Sequence, residues 1–313
     1  MDTPTDARAD FSSDLIGFGD DSSRLAHGAS PPTPAVIDPD RPPWGVLVAL
    51  GLTASIFVFQ IVVQIVFVVP YALTFRTTDP QALVKILTGD KAILLSILAI
   101  IPAHLLTLGL AWMIVTSFGK RPFWDSLGWG WSPRLGWLEA AACLGLSLLL
   151  LGAGHAFAKV FGDPETQLER MILSSTAARY TVAALATFTA PLVEEVVFRG
   201  VLYSALRKRV GVVWGACIVI LIFAAIHVPQ YLPNVAAIST ILLLSSVLTI
   251  IRARSGRLLP CVAIHFFFNG ITSVLIVVSP YFEHTTTPSP APPPTTPPGV
   301  LIELLSHAAR HLF

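Results

Sequence analysis

The feature that most constrains this chain is a succession of apolar runs, each close to the length needed to cross a bilayer. A spanning helix requires about 20 mostly apolar residues. Candidate runs fall at 45–75, 92–117, 137–160, 178–206, 212–227, 234–251 and 258–279. The expected fold is therefore an all-α polytopic membrane protein of about seven (six to eight) transmembrane helices. Composition agrees: 12% of the 313 residues are charged, against roughly 25% in an ordinary soluble domain. Mean hydropathy is +0.71. A net charge of +1 carries no polyanion signal, so no nucleic-acid partner is expected. The partners expected are the lipid bilayer and a membrane-associated protein or peptide substrate.

The first run is long enough to tilt or bend at Pro70. The fifth is short, so its far end is expected within protein rather than lipid. Residues 76–91 read as a short amphipathic re-entry segment, and "RPFWDSLGWGW" (121–131) as an interfacial belt. The chain divides into a disordered acidic and Pro-rich tail (1–44), N-terminal transmembrane helices (45–174) and a core (175–280). A Pro-rich linker (281–299) and an amphipathic helix (300–313) follow. The tail holds eight Asp against three Arg and has no apolar h-region, so the first span is expected to act as an uncleaved anchor. Cys143, Cys217 and Cys261 lack metal-ligand spacing and read as small buried hydrophobes.

Orientation follows from Lys and Arg. With the N-terminus in the cytoplasm, twelve of them fall on the cytoplasmic side and seven opposite, with clusters at 207–209, 252–257 and 120–134. The expected location is a bacterial cytoplasmic (inner) membrane.

Within the apolar runs lie a few groups that are costly to bury. Glu194, Glu195 and Arg199 occupy span four in "PLVEEVVFRG" (191–200). "FAAIHVPQY" (223–231) places His227 at the end of span five, with Pro229 expected to stop the helix. "AIHFFFNG" (263–270) places His265 and Asn269 four residues apart on one face of span seven. Each charge at the bilayer centre costs about 2.5–3.5 kcal/mol on insertion scales, so such residues are a functional hypothesis by default. Glu195 and Arg199 are spaced i,i+4 and can neutralise one another. Glu194 is rotated about 100° away and has no obligatory partner on its own helix. At 1.5 Å per residue, Glu194 lies roughly 18 Å and His227 about 22 Å from the basic loops, with His265 and Asn269 at about 10 and 16 Å. Three separate segments thus converge on one depth. Pro191 frees a carbonyl and can bend the helix before the glutamates. His104 and His155 have no such company and read as satisfied core groups; His307 and His311 read as a solvated helix face.

"EEVVFR", "FAAIH" and "HFFFN" follow the patterns E-E-x-x-x-R, F-x-x-x-H and H-x-x-x-N, in that order and on separate helices. In this the chain resembles the CPBP family of intramembrane proteases, which includes CAAX prenyl endopeptidases and bacteriocin-processing proteins. The resemblance covers about residues 175–280. It implies an all-helical fold with a site in a cavity open toward the cytoplasm. It also implies that Glu194 activates water, with His227 assisting and Glu195 and Arg199 in support, while His265 and Asn269 hydrogen-bond the oxyanion. No cofactor is required on that reading. A divalent metal such as zinc on Glu194, His227 and His265 is the other form of the mechanism. A lipidated substrate is the family precedent. Two rival functions remain: a proton-coupled transporter using Glu194 and His227 as relays, and a non-catalytic immunity or scaffold protein. Missing repeat symmetry counts against the first.

Overall fold

Seven long apolar helices build the protein, and the computed structural model describes residues 38–283. They are α1 (Val46–Leu73), α2 (Asp90–Thr116), α3 (Gly136–Phe161), α4 (Thr176–Val210), α5 (Val212–Tyr231), α6 (Val235–Ser255) and α7 (Leu259–Glu283). Their apolar length makes the chain an integral membrane protein. In hydrocarbon a helix is one of the few ways to satisfy every backbone N–H and C=O within one segment. The boundaries all fall within four residues of the apolar runs. Most of the acidic tail, nearly all of the Pro-rich linker and the whole C-terminal amphipathic segment, with His307 and His311, lie outside the described residues.

α4 is the axis of the bundle. Half of its most apolar window is buried, against 22–39% for the other six. Val193, Val196, Val197, Phe198, Val201 and Leu202 of α4 pack against Leu52 of α1, Ala111 and Val115 of α2, and Val219 and Phe223 of α5. On the other side α3, α6 and α7 form a second cluster through Leu150, Leu244, Leu248 and Ile264. The groups most expensive to expose to lipid therefore sit on the helix with the least lipid contact.

The turns at one end are tight, and the basic residues gather there. α4 and α5 are separated by Gly211 alone, whose φ of +85° suits glycine. One turn later Gly215 lies against the end of α4, where a Cβ would stand 2.9 Å from the Arg207 amide nitrogen. The α6–α7 connection is fastened to the α2–α3 loop by the Leu258 N–H donating to the Gly128 carbonyl at 2.9 Å. Arg257 adds a 2.7 Å ion pair to Glu139 at the start of α3.

Three expectations change. α5 does not stop at Pro229 but runs on to Tyr231, because a proline in the last turn removes one hydrogen bond and leaves the next, Leu232 N–H to the Val228 carbonyl, intact. At 20 residues α5 also has full spanning length. Cys217 is exposed on the outside of the bundle rather than buried; only Cys143 and Cys261 are interior. Segment 76–91, expected to be amphipathic, holds the amphipathic helix Pro80–Leu87, capped by the Asp79 carboxylate accepting the Gln81 and Ala82 N–H groups.

Candidate functional site

The site begins with the winding of α4. Residues Leu185–Thr189 and Glu195–Leu202 are π-helical, separated by one α-helical stretch, Ala190–Glu194. Such insertions mark functional positions in many helices. In the first of them the Ala190 N–H reaches back five residues to the Leu185 carbonyl. In that register the next carbonyl, that of Ala186, would be paired by residue 191, which is proline and has no N–H. A side chain from α7 takes the place: Asn269 Nδ2 donates to the Ala186 oxygen at 2.9 Å. Pro191 thus creates the acceptor that holds Asn269.

Glu195 and Arg199 are both wholly buried. The Glu195 Oε1 atom accepts from Arg199 Nη1 at 3.0 Å and from His265 Nδ1 at 2.9 Å. Arg199 spends its remaining donors on α6: Nε to Thr249 Oγ1 at 3.3 Å, and Nη2 to the Ser245 hydroxyl at 2.9 Å and carbonyl at 3.3 Å. Its guanidinium also lies 4.3 Å from the centre of the Phe223 ring. Desolvation of a buried ion pair is offset best when its remaining donors and acceptors are met; α6 does this for Arg199, whereas Glu195 Oε2 is buried without a hydrogen-bond partner among the described residues.

His265 stands between the two glutamates. A carboxylate paired with arginine accepts, so Nδ1 of His265 carries the hydrogen and the other ring nitrogen faces Glu194. The Nε2–Glu194 Oε2 distance is 3.8 Å, beyond a direct hydrogen bond. Glu194 keeps 22% of its side-chain surface accessible, whereas Glu195 keeps none. His227 donates from Nδ1 to the Phe223 carbonyl at 2.7 Å, since a carbonyl only accepts, which leaves its Nε2 outside that bond. Phe223 is the platform: its ring lies 4.6 Å from that of His227, 6.2 Å from His265 and 5.1 Å from Phe198.

The structure thus brings Glu195, Arg199 and His265 into direct contact, with Glu194 facing His265. It seats His227 on the same Phe223 platform. Asn269 reaches α4 too, but at Ala186, nearer the start of that helix. Two further groups belong to the neighbourhood. His104 on α2 hydrogen-bonds through Nδ1 to Thr189 Oγ1 at 2.9 Å, and the Glu194 carboxylate acts on it electrostatically. Tyr231 at the end of α5 feels the same carboxylate. His104 therefore has company, contrary to the expectation for it. Its place in the apolar run of span two, with only the Thr107 hydroxyl within a turn, concealed this. A cavity of ≈ 100 Å³ adjoins Asn269 and Tyr231, walled by Ile172, Ala237, Thr240 and Phe268 and bordered by Asp163.

The zinc alternative requires Glu194, His227 and His265 to converge. Among the described residues no group of three or more His, Cys, Asp or Glu side chains is placed to hold a metal ion.

Neither the curated proteins nor the solved structures compared with the chain give a match. A protein-family model does. Residues 176–271, which hold all three motifs, match the model described as Type II CAAX prenyl endopeptidase Rce1-like, in agreement with the CAAX-protease resemblance of those motifs.

Proposed function

We propose that the protein is an intramembrane endopeptidase in which Glu194 activates the water that attacks a peptide carbonyl. The observation that carries this reading is the unequal treatment of two adjacent carboxylates. Glu195 is fully buried and committed to Arg199 and His265, while Glu194 is partly open and meets no cation on its own helix. Glu194 takes a proton from water as its oxygen bonds to the carbonyl carbon. The same carboxyl then passes that proton to the leaving amine as the C–N bond breaks. Glu195 holds His265 through Nδ1 with Nε2 turned toward Glu194, and a proton carried on Nε2 in the substrate complex is the donor to the developing oxyanion. Asn269 has a second N–H beyond the one given to Ala186 and serves as the other donor. His227, with Nε2 unengaged by Phe223, assists the proton transfers.

The substrate on this reading is a membrane-associated protein or peptide, lipidated in the family precedent. The basic end of the bundle faces the cytoplasm of a bacterial inner membrane, which puts the N-terminus inside. Glu194→Gln keeps the size and polarity of the side chain and removes the base. Cleavage of an internally quenched CAAX peptide, prepared with and without a farnesylated cysteine, is expected to fall by about 10²–10⁴-fold. Expression and membrane insertion should hold. Undiminished cleavage by that variant would sink the assignment. Metal analysis of the active protein with chelator titration tests the water mechanism against the zinc form: metal-dependent cleavage would replace the former.

A further inference from the structure

Two of the buried groups described above continue toward the basic end of the bundle. On α4 the polar positions recur every four residues: Glu195, Arg199, Tyr203, Arg207. On α6 they are Ser245, Thr249 and Arg252. Ser245, Thr249, Arg252, Glu195, Arg199 and Tyr203 are all completely buried. The upper half of this seam is the Arg199 network. The lower half is built on Arg252, whose guanidinium carbon lies 5.9 Å from the centre of the Tyr203 ring. Arg252 Nη1 meets Asp40 Oδ1 at 3.3 Å, and Nη2 donates to the Pro39 carbonyl at 3.3 Å. The same Asp40 oxygen pairs with Arg207 at 2.7 Å. Among the described residues no other carboxylate forms an ion pair with Arg252.

We propose that Asp40 is a positioning residue for the Glu194–His265 pair, acting through Arg252 and α6. The proposal rests on the endopeptidase reading and deepens it, since Asp40 lies outside residues 176–271 and outside every motif. A fully buried cation cannot keep its place without a counter-charge, because its burial is costly unless paired. Arg252 is three residues from Thr249, less than one helical turn and about 4.5 Å along the axis. Withdrawal of Arg252 toward water therefore turns or lifts the segment of α6 that holds Arg199. Arg199 and His265 share one oxygen of Glu195, so a shift of the guanidinium is felt at the imidazole. Catalytic geometry tolerates little of this: a 1 Å misplacement can cost about 10²-fold. The peptide around Asp40 is itself fastened to α4, through Lys208 Nζ to the Pro42 carbonyl at 3.1 Å and Trp44 Nε1 to the Val201 carbonyl at 3.1 Å. Asp40 is thus a fixed post.

The test uses the full chain in detergent with the farnesylated quenched peptide, and compares Asp40→Asn, Asp40→Glu, Arg252→Met and the double variant Asp40→Asn/Arg252→Met. Asp40→Asn should lower kcat about tenfold with KM within about twofold. Asp40→Glu should retain most of kcat. The double variant should recover to within about threefold of the parent, because removing both charges leaves no fully buried cation unpaired; Arg207 also loses Asp40 but keeps 24% of its side chain accessible. A second readout needs no substrate. Cys261, buried on α7 four residues before His265, donates its thiol to the Leu248 carbonyl of α6 at 3.3 Å. Its alkylation by N-ethylmaleimide, followed by peptide mass spectrometry, should speed up several-fold in Asp40→Asn and return toward the parent rate in the double variant. An unchanged kcat in folded Asp40→Asn, or a double variant no better than the single, overturns the proposal. If the parent cleaves neither peptide, the endopeptidase reading falls, and unaltered Cys261 reactivity then sinks the link from Asp40 to α6 as well.

Discussion

Replacing Arg199 by methionine isolates the energetics of the buried network. The side chain is fully buried, and its donors reach Glu195, Ser245 and Thr249. Methionine fills much of the same volume and keeps contact with Phe223, so little of the effect is a cavity. What is lost is the counter-charge of Glu195, leaving the His265 hydrogen bond as its remaining support. Breaking a buried pair from one side costs about 3–5 kcal/mol. The Ser245 hydroxyl retains a contact with the Ile220 carbonyl at 3.5 Å, which holds its share down. Loss of the guanidinium–Phe223 contact adds about 1 kcal/mol. The expected destabilisation is therefore about 4–6 kcal/mol, a factor of roughly 10³–10⁴ in the folded-to-unfolded ratio. Unfolding can be followed by reaction of Cys143 and Cys261, which are buried in the folded chain, with a thiol-sensitive dye along a denaturant series. Arg199→Lys, which keeps the charge but loses the planar fork, should fall between parent and Arg199→Met. Adding Glu195→Gln to Arg199→Met removes the stranded carboxylate and should regain about 1–3 kcal/mol. If the double variant is as unstable as the sum of the two singles, the pair is not coupled and the network is not what holds α4 to α6.

Gly215→Ala places a methyl 2.9 Å from the Arg207 amide nitrogen and 3.2 Å from its Cα, both backbone atoms that cannot step aside. The start of α5 must move, at a cost of about 1–3 kcal/mol, measurable as a drop in the midpoint of thermal unfolding; an unchanged midpoint would show that the α4–α5 turn has slack. Sidedness is open to labelling in a Cys217→Ala background, with an impermeant maleimide on intact cells. Lys120→Cys, at the basic end, should resist and Glu165→Cys, at the other, should react; the reverse result would invert the proposed orientation.

The sidedness prediction has a consequence for substrate access. The cavity beside Asn269 reaches Asp163 and Leu168 in the α3–α4 connection and Ala236 at the start of α6, at the end opposite the basic loops. With the N-terminus inside, that end faces away from the cytoplasm, whereas the family resemblance implies a cytoplasmic opening. The two expectations pull apart, and the labelling pattern decides which one the chain obeys.

Much of this architecture is legible from composition because lipid leaves few alternatives. A run of about 20 apolar residues must be a helix, and its ends follow from where polar residues resume. The convergence of α4 and α7 was legible too, since helical rise gives His265 and the glutamates comparable depth. What depth does not give is rotation. A uniform 100° per residue sends Glu194 and Glu195 to different neighbours, yet His265 meets both from one ring. The π-helical stretch beginning at Glu195 turns less per residue, and no local pattern announces it. Pro191 was visible as a helix breaker, but its effect on Asn269 depends on the five-residue register just before it. Asp40 is the hardest case. It sits at the edge of a polar tail, and only the folded chain brings it to Arg252, 212 residues away.

The contrast between Glu194 and Glu195 can be traced to these same causes. Both are carboxylates on one helix, at adjacent positions. If the helix were α throughout with no proline, the Ala186 carbonyl would find its own N–H, and Asn269 would have no fixed acceptor on α4. If α6 lacked Ser245 and Thr249, Arg199 would be underbonded and free to swing between the two glutamates. A guanidinium shared in that way would neutralise Glu194 and deprive it of basicity. By holding Arg199 on three sides, α6 keeps the cation on Glu195. Glu195 Oε1 then accepts His265 Nδ1 as well, which turns the other nitrogen of that ring toward Glu194. The reactivity assigned to Glu194 is thus a property of what binds its neighbour. Substitutions at Ser245 and Thr249 should therefore lower activity through Arg199, although neither side chain reaches Glu194.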